Sequence, residues 1–111
     1  MRILEFTVRK QRLLRTPTCD FSGLVAGSKG YLYAKFNLSP EWDSCRTAAK
    51  FVVKDDTGEH EYGALLDDNR TCIIPSEALV GDKFYVSVKG VKDGGRYQIE
   101  SSEIAVKQEV R

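Results

Sequence analysis

The stretch YLYAKFNL, residues 31–38, decides the fold class, because its side chains alternate. Leu32, Ala34, Phe36 and Leu38 fall on one face, and Tyr31, Tyr33, Lys35 and Asn37 on the other. A strand turns successive side chains to opposite faces, whereas a helix repeats every 3.6 residues, so this is the pattern of a half-buried strand. The period recurs on both sides. RILEFTVR (2–9) groups Leu4, Phe6 and Val8 opposite Glu5, Thr7 and Arg9, and AKFVVKD (49–55) groups Ala49, Phe51 and Val53. FYVSVKG (84–90) turns Phe84, Val86 and Val88 inward with Tyr85, Ser87 and Lys89 outward, and SEIAVKQ (102–108) turns Ile104 and Val106 inward. With EHEYGALL (59–66), TCII (71–74) and RYQIE (96–100), the chain reads as seven to eight short strands.

Turn residues punctuate these runs at the spacing of a sandwich or barrel. AGSKG (26–30), DDTGE (55–59), DDNR (67–70) and KDGGR (92–96) mark connections, and Gly58 suits a position that needs positive φ. Helix signals amount to single turns at SPEWDSCRTAA (39–49) and PSEALVG (75–81). The expectation is an all-β, antiparallel sandwich whose core contains Leu4, Phe6, Val8, Leu32, Phe36, Trp42, Phe51, Val53, Ile73, Phe84, Val86, Val88, Ile104 and Val106. Leu38 and Trp42 bracket Pro40, which lets the chain cross one end of the sandwich with the lone tryptophan as its cap.

The 111 residues fit a single domain, 1–111, large enough to fold without a metal or disulfide. Apolar residues make up 41% and charged residues 30%, the balance of an ordinary globular protein. Net charge is +1 with the signs interleaved, and the basic N-terminal residues Arg2, Arg9, Lys10, Arg12 and Arg15 read as a solvated edge. Nucleic acid is therefore not an expected partner. Residues 1–15 alternate charge with hydrophobe, unlike a signal peptide, and no apolar run approaches the ~20 residues that span a bilayer. Cys19, Cys45 and Cys72 are odd in number and widely spaced, as reduced thiols would be, with a Cys45–Cys72 bridge left open.

Residues that could carry chemistry are few. His60 is the only histidine, and its neighbours Glu59 and Glu61 project to the opposite face of a strand, so it reads as an exposed or cross-strand-paired side chain. Cys72 lies in an apolar run, where a buried inert thiol is the default. The pairs Asp55–Asp56 and Asp67–Asp68 fall where turns are expected, and Asp bonds its own backbone there. GSKG (27–30) has neither the spacing nor the following helix of a phosphate loop. No catalytic residue, cofactor or metal is expected. Exposed tyrosines favour protein contacts, so Tyr31, Tyr33 and Tyr85, with Arg9 and Arg12 at the basic edge, are the candidate partner contacts.

The succession YLYAKFNLSPEW, AAKFVV, CIIPSEAL, FYVSVKG and GGRYQIESSEIAVK, over residues 30–108, resembles a small immunoglobulin-like β-sandwich. That domain leads baseplate, tail-tip and head-fibre proteins in the virions of tailed phages of Gram-positive bacteria. The resemblance implies an immunoglobulin-like sandwich in which Trp42 closes one end. It also implies a non-enzymatic virion protein, assembled in the bacterial cytoplasm, that contacts capsid or tail and baseplate subunits and other copies of itself. Larger members continue into fibre or receptor-binding sequence, so a chain ending at Arg111 reads as a decoration or adaptor protein or an excised domain. The alternative is a small soluble phage protein that binds and inhibits a host defence factor.

Overall fold

The computed structural model describes residues 1–111. The strands are β1 (Arg2–Arg9), β2 (Arg12–Arg15), β3 (Leu32–Leu38), β4 (Arg46–Asp55), β5 (Gly58–Leu65), β6 (Thr71–Ile73), β7 (Lys83–Lys92), β8 (Tyr97–Glu100) and β9 (Ile104–Lys107). Single 3-10 turns occupy Pro40–Trp42, Ser76–Ala78 and Asp93–Gly95. Every run with period two forms a strand. Gly58, at φ 118°, closes the β4–β5 hairpin as its sequence position requires.

One sheet has the order β2-β1-β3-β6, and the other β5-β4-β7-β8. β9 pairs with the N-terminal half of β7 and β8 with its C-terminal half, so the two line one edge of β7. The inner faces of the sheets enclose the core, making an all-β sandwich. Phe6 stacks on Phe36 with ring centroids 5.3 Å apart, and Phe51 meets the edge of Phe84 at 6.2 Å.

The structure departs from the sequence reading at four points. β2 is a ninth strand: RLLR has no alternation, and its turn, Lys10-Gln11, contains neither Gly nor Asn. Lys10 takes φ 57° there, and β2 pairs with Phe6–Arg9 to bury Leu13. Second, β1 and β3 run parallel, Arg2 opposite Leu32 through Val8 opposite Leu38, whereas every other pair of strands is antiparallel. A parallel neighbour needs a long crossover, which residues 16–31 supply. Arg2 ties that segment down by donating to the carbonyls of Asp20 at 2.9 Å and Ser22 at 2.7 Å.

Third, Ile73 is not a core residue. β6 pairs antiparallel to β3 with Cys72 opposite Ala34 and Ile73 opposite Tyr33. Residues directly opposite in a ladder share a face, so Cys72 and Ile74 point inward and Ile73 is 44% exposed. Fourth, Ile104 is only half-buried at the margin of the core, while the other expected core residues are buried.

Trp42 is completely buried. Its indole N–H donates to the Lys10 carbonyl at 2.7 Å, so it anchors the β1–β2 turn to the end of the sandwich. Gly90 makes the room: a Cβ there would lie 2.9 Å from Trp42 Cε3 and 3.1 Å from Cys45 Cβ. Tyr97 donates to the Glu41 carbonyl at 2.6 Å, and Arg70 to the Cys45 carbonyl at 2.9 Å and Thr47 Oγ1 at 2.8 Å, closing the same end.

All three cysteines are free thiols. Burial, with Asp67 adding its charge, pushes the Cys72 thiol up to about 12. Cys45 is also buried, whereas Cys19 is partly exposed beside β1. A thiol titration of the native protein at pH 8 is expected to label Cys19 and to reach Cys45 and Cys72 only on unfolding. Rapid native labelling of Cys72 would contradict this packing.

Candidate functional site

The outer face of the β2-β1-β3-β6 sheet carries an apolar row across three strands. Ile3 of β1 is opposite Tyr33 of β3, and Tyr33 is opposite Ile73 of β6. These side chains share the outer face because the alternate residues, Leu4, Leu32, Ala34 and Cys72, fill the core. Ile3 is 37% exposed, and Met1 and Tyr31 at the same end of the sheet are 79% and 47% exposed. Isolated exposed apolar residues are ordinary on a protein surface; a contiguous row is less so, and it makes this face the candidate contact surface.

The next row along the strands is polar, Glu5 opposite Lys35 and Lys35 opposite Thr71. Glu5 accepts from the Asn37 side-chain amide at 3.2 Å, which holds its carboxylate on this face. An apolar centre with a polar margin is the usual anatomy of a protein–protein contact. Asn69 and Thr71 border the row at a shallow depression of about 560 Å³.

The candidate contacts named from the sequence fall in three places. Tyr33 is the centre of the apolar row, and Tyr31, two residues before it, lies at the same end of the sheet. Tyr85 is on the opposite surface of the molecule, on the outer face of β7, with the Lys54 ammonium 4.1 Å and the Lys83 ammonium 5.8 Å from its ring centre. Those lysines give the Tyr85 ring cation–π partners within the chain. Arg9 and Arg12 are paired beside the β1–β2 turn. Arg9 is six residues along β1 from the position facing Tyr33, about 20 Å away. One docking surface therefore cannot use all five. Ile3 and Met1 are not singled out by the sequence reading, and Ile73 is the residue that it places in the core. Ile3 was detectable, since it shares the parity of Glu5 and Thr7.

The polar clusters are structural turns. Asp55 Oδ1 accepts from the Thr57 N–H at 2.8 Å and from its hydroxyl at 2.6 Å, and those two bonds hold the carboxyl below its ordinary range. His60 Nε2 lies 2.8 Å from Thr57 Oγ1 and 3.2 Å from Asp55 Oδ1. A hydroxyl–imidazole–carboxylate relay uses the two ring nitrogens separately, whereas here both partners meet the same one. Asp67 Oδ1 likewise accepts from the N–H groups of Asn69 at 2.8 Å and Thr71 at 3.0 Å. No helix is long and apolar enough to cross a membrane.

Comparison with protein families, with curated proteins and with solved structures finds no match to this chain.

Proposed function

We propose that this chain is a non-enzymatic virion structural protein of a tailed phage or prophage. It acts as a decoration, head-fibre or tail and baseplate adaptor, and its sandwich belongs to the immunoglobulin-like group. The observation that carries the docking role is the Ile3–Tyr33–Ile73 row, an apolar strip on an outer sheet face with a half-buried tyrosine between two isoleucines that are 37% and 44% exposed. The virion setting rests on the resemblance of residues 30–108 to phage sandwich domains.

In this reading a capsid or tail subunit covers the row. Tyr33 and Ile73 form the desolvated centre, and Glu5 and Lys35 form the margin that sets orientation. Particles display such modules in symmetric copies, so individually weak contacts sum through avidity.

The test is sedimentation. The tagged protein is expressed during phage or prophage induction, and the particles are banded on a density gradient. Banding at fixed stoichiometry with intact particles is the expected result. Recovery only at the top of the gradient, with the soluble lysate, would sink the structural role and leave a soluble inhibitor of a host factor as the reading to pursue.

A further inference from the structure

The two sheets of this sandwich offer four edges, and three are stitched or short. The β2 edge is stitched to the break between β8 and β9. There the Leu13 N–H donates to Ser102 Oγ at 3.0 Å, the Ser102 N–H to the Gln11 carbonyl at 2.7 Å, and the Gln11 amide to the Glu100 carbonyl at 3.0 Å. Arg15 adds a bond to the Ala105 carbonyl at 2.7 Å. These bonds tie the β2 edge to the β8–β9 edge on this side of the sandwich. β6 is three residues long, Asp67 engages both the N–H and the C=O of Thr71, and after Ile74 comes Pro75, which has no N–H to donate.

β5 remains, eight residues long. Its register with β4 runs unbroken from Asp55–Gly58 to Ala48–Leu65. The Leu66 N–H donates to the Thr47 carbonyl at 3.0 Å, so every second pair from Thr47–Leu66 to Asp55–Gly58 is the hydrogen-bonded kind. Even-numbered residues of β5 thus bond β4. The N–H and C=O groups of Glu59, Glu61, Gly63 and Leu65 point away from it, along a free edge.

Proteins blunt such edges with proline, lysine, bulges or covering loops. β5 contains no proline, no lysine and no bulge. Its two acidic side chains are matched within the chain, Glu59 to Lys54 at 3.7 Å and Glu61 to Lys50 at 3.8 Å. The edge is therefore long and unbroken, with both glutamates beside lysines of β4, Lys54 being shared with Glu103 at 3.8 Å.

We infer that two copies of this chain pair antiparallel through β5, joining their β5-β4-β7-β8 sheets into one continuous sheet across a two-fold axis. The sequence of the strand is self-complementary in one register. With the axis at Tyr62, Glu59 faces Leu65 of the second copy and Glu61 faces Gly63, so no like charges stand directly opposite. The two Glu61 side chains are diagonal neighbours across the axis, each beside its own Lys50, and the absent Cβ of Gly63 leaves room for the glutamate. All four outward residues of each strand then pair, for about eight inter-strand hydrogen bonds. The two Tyr62 rings, half-buried against their own cores, meet as a close non-hydrogen-bonded pair, a favourable aromatic cross-strand contact. Sliding the axis to Glu61 sets that carboxylate against its own copy, and sliding it to Gly63 sacrifices a pair. This contact uses a different surface from the apolar row and does not depend on the virion role.

The test uses the full chain. Sedimentation velocity from micromolar to millimolar concentration is expected to show a reversible shift from the 12.5 kDa monomer to twice that mass. Hydrogen exchange over the same range is expected to slow the amides of Glu59, Glu61, Gly63 and Leu65 by ~10-fold or more, and no others to that extent. Gly63→Pro removes one outward N–H and leaves the β4 ladder intact, and it is expected to yield a folded monomer. Tyr33→Glu, on the other sheet, is expected to leave the dimer unchanged. A monomer at every concentration overturns the inference, even where a foreign strand later proves to protect those amides. Dimerisation with protection mapped elsewhere overturns it too. If Gly63→Pro does not fold, wild-type exchange decides alone.

Discussion

Trp42→Ala is expected to remove about 3–5 kcal/mol of folding stability, the largest single-site loss in the molecule. The side chain is fully buried, and its removal also strands the Lys10 carbonyl that its N–H satisfies at 2.7 Å. Small domains hold about 5–15 kcal/mol in total, so the variant should be largely unfolded under mild denaturing conditions. Urea unfolding followed by far-ultraviolet circular dichroism measures this. A loss under about 1 kcal/mol would mean that Trp42 does not hold the end of the sandwich.

Gly90 supplies the matching test. Gly90→Ala places a methyl group 2.9 Å from Trp42 Cε3, so it should cost about 1–3 kcal/mol by overpacking. The smaller ring of Trp42→Phe relieves that clash. In a double-mutant cycle, Gly90→Ala should therefore cost less in the Trp42→Phe background than in the wild type. Additive losses would show that the cost comes from Cys45 and Ile99, which a Cβ at Gly90 also meets at 3.1 and 3.2 Å, and not from the indole.

The second large effect separates two adjacent isoleucines. Ile74 is buried and Ile73 is 44% exposed. Ile74→Ala is expected to lose about 2–5 kcal/mol of stability. Ile73→Asp is expected to stay within about 0.5 kcal/mol of wild type, while lowering association with purified particles by ~30-fold, the effect of losing a hot-spot contact of about 2 kcal/mol. Thermal unfolding and a particle-binding titration read the two quantities separately. Particle binding by Ile73→Asp at wild-type strength would remove the outer face of β6 from the docking surface. Loss of stability in that variant would mean that β6 is in the other register.

That pair of isoleucines also marks where sequence reasoning stops. TCIIP signals a strand and, through Pro75, its end, but either phase of the alternation buries one isoleucine. The choice is made by β3, which sets Cys72 against Ala34. β2 was hidden for a related reason: four residues without alternation become a strand because β1 offers them a ladder and the core accepts Leu13. The parallel pairing of β1 and β3 was equally hidden, since a half-buried strand has the same period whichever way its neighbour runs.

The candidate site was legible in part. Tyr31 and Tyr33 were readable as outward-facing from their own alternation. That Tyr85, equally outward, lies on the far side of the molecule is a property of two packed sheets, because a sandwich has two outer faces and period two does not tell them apart.

By itself the sequence determined the all-β class, the runs that form strands, and the inward parity of most of them, because a strand's two faces are written residue by residue. Tertiary structure decided which strands are neighbours, which edges close and which apolar side chains gather into a row. Beyond the hairpins that turn residues mark, those outcomes depend on pairing between segments far apart in the chain, where local pattern carries no information about the partner.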